Sequence, residues 1–206
     1  MRILLMGLFW SSTILLGIAT LYWGTDRWQA FTAEAARRIS VSKNPLPIKN
    51  YDVIRHNGQQ SRLYPDEPRL VLMELIFTKC PTVCIAMGAN FRELQNEIIK
   101  KGIRDHVNLL SISFDSKDSY DDLKRYLEQF SADFEIWTAA KFKSKSDLEN
   151  MMKKIGAIAI PEPTLGYVHN SVVYVVSNGE ISAMYDHDDL KGILAEIDSL
   201  LIPKRT

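Results

Sequence analysis

This 206-residue chain has little of what most chemical scaffolds need: two cysteines, four histidines and no net charge, its 25 Lys+Arg balancing 25 Asp+Glu. Two cysteines can build neither a disulfide framework nor a closed four-cysteine zinc site. A neutral chain has no global field to draw in phosphate backbones, so nucleic acid is not the expected partner. It shows no phosphate-binding glycine loop, no Ser-His-Asp arrangement, no paired-carboxylate pattern and no internal repeat. The rest is ordinary for a globular protein, 46% hydrophobic and 24% charged. The length suits one domain with an appendage.

Charge is also missing from one long stretch. Arg2 is the only charged side chain among the first 25 residues, and Ile3 to Trp23 is a run of 21 residues without any. As a helix it spans roughly 31 Å, close to a bilayer's hydrocarbon core of about 30 Å. Tyr22, Trp23 and Trp28 fall where an interfacial aromatic belt lies. A cleaved signal peptide is the alternative, but its apolar region is only about 7–15 residues long. The small residues at Ala33–Ala36 also lie too far downstream to be its cleavage site. Residues 1–25 therefore read as a transmembrane anchor, meeting lipid through residues 3–23. Charge bias alone does not orient it. Arg2 precedes the span, while Arg27, Arg37 and Arg38 follow, so the raw positive-inside count opposes an outside domain and Asp26 weakens that count. Asp26 to Ile39 is expected to continue as helix, with Trp28, Phe31, Ala35 and Ile39 on one stripe. Ser40–Ile48, with Pro45 and Pro47, reads as a tether. Residues 26–48 thus form a juxtamembrane helix and linker ahead of a domain over 49–206.

Within that domain, Tyr51–Ile54 and Ser61–Leu63 flank His56-Asn57-Gly58-Gln59, a hairpin turn in which Asn-Gly tolerates positive φ. Leu70–Phe77 is a nearly continuous apolar run, as in a strand covered on both faces, and Val107–Phe114 is a second. Met87, Phe91, Leu94 and Ile98 repeat at helical spacing. Ser119 and Asp122 form a capping box for a helix that turns Tyr120, Leu123, Leu127 and Phe130 inward. Phe134–Thr138 reads as a third strand. Ser146 and Glu149 then cap a helix carrying Leu148, Met151, Met152 and Ile155. Val172–Val176 and Glu180–Met184 make a hairpin around Ser177-Asn178-Gly179. Leu190, Ile193, Leu194, Ile197 and Leu201 mark a last helix, stopped by Pro203. Alternating strands and helices that end in a hairpin and helix predict an α/β fold: a thioredoxin-like mixed sheet flanked by helices.

Both cysteines fall in Thr78-Lys79-Cys80-Pro81-Thr82-Val83-Cys84, where the first buried strand hands over to a helix. Pro81 disfavours αR at Cys80 and suits the first helical position itself. Cys80 is then expected at the helix N-cap with Cys84 one turn along, and the N-terminal partial charge favours thiolate at both. Thiolate is the nucleophile of disulfide exchange and also a soft metal ligand. A three-residue gap can close a disulfide or let two sulfurs converge on one ion, which would need a third ligand. Inert burial is the remaining alternative.

Phe77-Thr78-Lys79-Cys80-Pro81-Thr82-Val83-Cys84 resembles the F-T-x-C-P-x-x-C signature of the Sco/SenC copper-binding family. The likeness continues through Ser111-Ile112-Ser113-Phe114-Asp115 and Asp118, and resumes at His169-Asn170-Ser171-Val172-Val173-Tyr174. It spans nearly all of residues 49–206, and the N-terminal anchor also fits. The resemblance implies a thioredoxin-like fold holding one copper ion per domain, Cu(I) or Cu(II), through Cys80, Cys84 and His169, the histidine lying in the loop before the penultimate strand. It further implies a membrane-anchored chaperone, rather than a turnover enzyme, that helps mature the dinuclear copper centre of cytochrome c oxidase. Its partner would be the copper-bearing oxidase subunit or another copper carrier. The implied location is the bacterial inner membrane, single-pass, with the domain on the periplasmic or outer side, in preference to the mitochondrial inner membrane. The alternative is a thiol–disulfide oxidoreductase in which Cys80 and Cys84 are catalytic and a thiol reductant is the further partner. Ile85 stands where the family usually has Pro, Val168 where Asp is common, and Ser116 where Pro is frequent, marking a divergent member.

Other candidates read as structural. Asp186, Asp188 or Asp189 can cap the last helix, which makes His187 a neighbour of a cap rather than a ligand. His56 and His106 read as loop or surface residues, and Met87 as core packing. Asp115, at a strand's C-terminal end, either orients a ligand or caps the next loop.

Overall fold

The structure is a computed structural model that describes residues 2–65, 70–80, 83–164 and 166–201, with side chains from residue 6 onward in the first helix. The expected roles of Pro81 and Pro203 lie outside the described residues. The chain forms two compact units, Met1–Asn44 and Pro45–Thr206.

The first unit holds α1 (Arg2–Gly24) and α2 (Ala33–Lys43). Within α1, Met6–Gly24 is long and apolar enough to cross a membrane, with a mean hydropathy of 1.3. Helix does not run on to Ile39 as the periodicity implied. Asp26, Arg27 and Trp28 all take positive φ, and the Thr25 hydroxyl accepts the Trp28 N–H at 3.1 Å. A new helix starts after Thr32, whose hydroxyl caps the Ala35 N–H at 3.0 Å. The proposed Trp28–Ile39 stripe is therefore split, and Ser40–Lys43 belong to α2 rather than to a tether.

The second unit opens with β1 (Leu46–Pro47), β2 (Asp52–Arg55), β3 (Gln60–Arg62) and β4 (Leu70–Ile76). Then come α3 (Val83–Lys101), β5 (Val107–Ser113), α4 (Tyr120–Gln129), β6 (Trp137–Phe142) and α5 (Lys145–Ile155). The chain closes with β7 (Ala159–Glu162), β8 (Gly166–His169), β9 (Val172–Ser177), β10 (Glu180–Asp186) and α6 (Leu190–Leu201). Eight strands form one sheet in the order β1-β10-β9-β4-β5-β6-β2-β3, while β7 and β8 pair apart from it. β4, β5 and β6 are parallel, and β9 runs antiparallel to β4. Every residue of β4 is buried, as a central strand with both faces covered requires. The fold is the thioredoxin-like mixed sheet flanked by helices.

Most of the core follows the periodicity. Met87, Phe91, Leu94 and Ile98 are buried on α3, and Phe91 meets Trp137 of β6, which in turn contacts Tyr126 and Phe130. The Ser119–Asp122 capping box forms with both reciprocal bonds, and its hydrogen bonds lower the Asp122 carboxyl to about 2.

Four local expectations need correction. Tyr120 is 41% exposed, and Tyr126 takes the inward place, because a residue in the first turn projects past the edge of the layer its helix covers. The third strand begins at Trp137, not Phe134: the Ile136 and Trp137 N–H groups fold back to the Asp133 carbonyl as a turn. The cap of α5 is Ser144, accepting from Asp147 N–H, two residues before Ser146. His56 is buried at 8% exposure, its ring 4.8 Å from that of Phe134.

Candidate metal centre

β4 delivers the chain to the site. After Ile76 it turns at Phe77–Cys80, where the Cys80 N–H bonds the Phe77 carbonyl at 3.2 Å. The Cys80 Sγ accepts the Cys84 N–H at 3.3 Å, so a sulfur serves as acceptor for one of the first helical donors. Cys80 and Cys84 are both thiols, not joined in a disulfide, and both are buried.

His169 ends β8, on a hairpin that sequence periodicity missed. The loop expected before β9 is instead a second, two-stranded sheet, with Ala159 opposite His169 and Pro161 opposite Tyr167. Four residues per strand, one a proline, are too short for alternation to signal. Asn170 closes the hairpin's base, its side-chain oxygen accepting the Ile158 N–H at 3.0 Å. Gly166 takes φ +81°, and a Cβ there would come within 3.1 Å of the Phe77 ring. Tyr167 stands against Phe77 and Phe114, each at 5.2 Å between centroids. Phe114 also faces the His169 ring at 5.2 Å. These aromatics set where the imidazole points.

It points at the sulfurs. His169 Nε2 lies 3.3 Å from Cys84 Sγ, and the ligand atoms of Cys80, Cys84 and His169 are all within 4.8 Å of one another. His169 Nδ1 is 3.1 Å from the Asn170 carbonyl. A carbonyl can only accept, so the proton sits on Nδ1 and the Nε2 lone pair faces the thiols. Burial lowers the His169 pKa, with the Asn170 bond opposing it, and the ring is neutral near pH 7. Among the described residues, this is the one group of three such side chains placed to hold a metal ion. Three ligand atoms spread around one ion at about 2.0–2.3 Å stand roughly 3.5–4.0 Å apart, so a closure of about 1 Å would seat an ion. Two soft sulfurs and an imidazole suit copper.

The helix N-terminus does not win at Cys84, contrary to the thiolate expectation. Burial raises its thiol pKa well above the usual value; the Phe77 backbone opposes this, while Cys80 and Glu74 reinforce it. Without a cation Cys84 keeps its proton; a coordinated metal displaces it.

Two acids support the site. Asp118 is buried and holds the cysteine loop: one oxygen accepts the Thr78 hydroxyl at 2.7 Å, the other the Thr78 N–H at 2.9 Å and the Ser113 hydroxyl at 2.7 Å. Glu74 sits fully buried in the middle of β4. Its Oε1 accepts from Ser111 at 2.6 Å and Tyr126 at 3.1 Å, and the Tyr126 hydroxyl is also 3.3 Å from the Cys84 carbonyl. Its Oε2 has no partner among the described residues. Burial, partly offset by these hydrogen bonds, raises its pKa to about 8. A single acid inside an otherwise apolar strand was the visible signal for Glu74.

The remaining candidates are structural. Asp115 accepts the Lys117 N–H at 2.9 Å and caps its loop. His187 is tied through Nδ1 and its carbonyl to Asn90, both at 2.9 Å, while Asp189 caps α6 at the Gly192 N–H. Met87 is fully buried and His106 is exposed.

Comparison with known proteins agrees with this geometry. A family model described as SCO1/SenC matches residues 41–201. The SCO1 protein homolog of Bacillus subtilis (strain 168) is 28% identical over 152 residues, covering 72% of this chain and 75% of that protein. BsSco, described as a member of the Sco family of cytochrome c oxidase assembly proteins with a disulfide switch, superposes with a TM-score of 0.66. The two are 23% identical, over 76% of this chain and 94% of that one. Arabidopsis thaliana ScoI, solved with copper bound, gives 0.59 at 18% identity, over 75% of this chain and 96% of its own.

Proposed function

The chain belongs to the SCO1/SenC family, and from the site it carries we propose that it is a membrane-anchored copper chaperone that helps assemble the copper centre of cytochrome c oxidase. Copper is its cargo, held by Cys80, Cys84 and His169. The observation that supports this is the meeting of three ligand atoms from positions 80, 84 and 169 within 4.8 Å. Paired thiolates retain Cu(I), and the added imidazole also accommodates Cu(II). The half-buried histidine, standing on a two-stranded hairpin outside the main sheet, is the ligand best placed to swing away when copper passes on. Recipients of the matching chemistry are the copper-bearing oxidase subunit or another copper carrier. Residues 3–23 anchor the chain in a bacterial inner membrane, with the second unit on the outer side, where such a partner exposes its copper site.

Copper content of the reduced full chain tests this. Wild type binds one copper, Cys80→Ala and Cys84→Ala bind none, and His169→Ala weakens binding by at least about tenfold, as losing a ligand exceeds the effect of losing a ligand's supporting bond. Circular dichroism should be unchanged in the histidine variant. Undiminished affinity in His169→Ala would remove the histidine from the site.

A second reading rests on two thiols, not joined in a disulfide, lying within reach of each other. One thiolate attacks a partner disulfide, breaking its S–S bond and forming a mixed disulfide. The other cysteine gives its proton to the partner thiolate released in that step and attacks the mixed disulfide, displacing the partner's remaining sulfur; Cys80–Cys84 is left oxidised by two electrons and the partner, after taking up one proton from water, is a dithiol. Rapid exchange in a chain that binds no copper would favour this role.

A further inference from the structure

Away from the cysteines and histidine, the β2–β3 hairpin, the first turns of α4 and the approach to β6 enclose a cleft of about 980 Å³. Its lining includes Arg55, His56, Asn108, Tyr120, Lys124 and Phe134, and none of Cys80, Cys84 or His169. Arg55 extends from β2 to neutral acceptors only: Ser61 Oγ at 2.7 Å, Thr138 Oγ1 at 2.9 Å, and the Arg62 and Leu63 carbonyls at 2.8 and 3.3 Å. No carboxylate pairs with it among the described residues, since the neighbouring Asp52 is taken by Arg62 at 2.8 Å. Burial alone lowers the Arg55 pKa, to about 10. A partly buried cation with no counter-charge among the described residues carries a desolvation cost, and a bound anion offsets it.

Other polar groups line the same cleft. Lys124 and Arg55 both line the cleft and act electrostatically on the buried His56 ring, and Lys124, at the exposed rim, also pairs with Glu128 at 3.7 Å. His56 Nδ1 and Asn108 Oδ1 are buried without a hydrogen-bond partner among the described residues. Asn108 Oδ1 can only accept, so it calls for a donor on the ligand. Tyr120 and Phe134 present rings that are 41% exposed each, a surface for a flat body. Asp121 and Lys124 both line the cleft from exposed positions, where screening weakens each alike, so the partly buried Arg55 carries the main charge.

We propose that this cleft is a second binding site, for a small planar organic anion that carries a hydroxyl donor as well as its carboxylate. The carboxylate sits between Arg55 and Lys124, the ring lies against Phe134 and Tyr120, and the hydroxyl reaches Asn108.

The probe is 4-hydroxybenzoate, titrated calorimetrically into the full chain in detergent, with 4-hydroxybenzyl alcohol and inorganic phosphate as comparisons. Wild type binds the carboxylate saturably and melts at a higher temperature with it. Arg55→Gln weakens binding more than about tenfold, as removing a desolvated charge partner does. Because Arg55 also ties strands together, the exposed Lys124→Glu supplies an independent test: it reverses one charge without touching the core, and also weakens binding severalfold while copper binding stays unchanged. The proposal fails if wild type shows no saturable binding, if the neutral alcohol binds equally, or if Lys124→Glu binds as wild type does. Phosphate binding as tightly as the aromatic acid would show that the planar body is no part of recognition, and would overturn the proposed class.

Discussion

Replacing Glu74 by glutamine should abolish a pH dependence of stability that the wild-type chain shows near neutrality. The folded protein holds the Glu74 proton up to about pH 8, against an ordinary value of 4.5. A carboxyl raised on folding contributes stability in full below its unfolded value and loses it as pH climbs to the folded one. While the unfolded chain is ionised and the folded one is not, stability falls by about 1.4 kcal/mol per pH unit. From pH 6.5 to 8 the loss is about 1.6 kcal/mol, the slope easing as the folded carboxyl itself begins to ionise. His56 and His169 are lowered from 6.5, so they add stability with rising pH only up to roughly one unit above that value, opposite in sign to Glu74 and common to both proteins. The raised Cys84 thiol, with an ordinary value of 9.0, acts only at higher pH. Glutamine keeps the acceptor for Ser111 and Tyr126 and sets its amide where Oε2 has no partner among the described residues. Urea unfolding of the copper-free, reduced chain, followed by circular dichroism across this range, reads the difference. Wild type should lose stability with rising pH while Glu74→Gln does not. Parallel profiles for the two proteins would refute the buried, protonated carboxyl.

Asp118→Ala should destabilise the chain by about 2–4 kcal/mol, because it strips the partners from Thr78 and Ser113 at buried positions. It should also broaden the copper spectrum, since the loop before Cys80 loses its hold; unaltered stability and spectrum would contradict that role. Gly88→Ala should cost about 1–3 kcal/mol in thermal or urea unfolding, as a Cβ there falls 2.3 Å from the Phe130 ring. Combining it with Phe130→Leu should recover part of the loss, and strict additivity would argue against that contact.

Local pattern was enough for the framework of the second unit. Apolar runs marked β4 and β5, a 3.6-residue period marked α3, and Asn178-Gly179, both at positive φ, marked the β9–β10 turn. Each of these signals lies within one element, where side-chain direction repeats with the backbone. The cysteine pair was legible for the same reason, since a strand-to-helix junction is a local event. Tyr120 and Phe134 went astray where an element's end, rather than its period, decides exposure. Glu74 was passed over because the apolar residues around it set the strand's reading. Whether an acid there is tolerable depends on Ser111 and Tyr126, which come from other elements.

The sequence by itself determined the central strands and helices of the second unit, their order and two of the three presumed ligands. Only the tertiary structure decided that His169 meets them, because that requires a short irregular hairpin, seated by Phe77, Phe114 and a glycine at positive φ, to lay residue 169 beside residue 84. Periodicity reports which way a side chain faces along its own element. It carries no information on which distant element it faces, and it is that pairing that makes three scattered side chains one site.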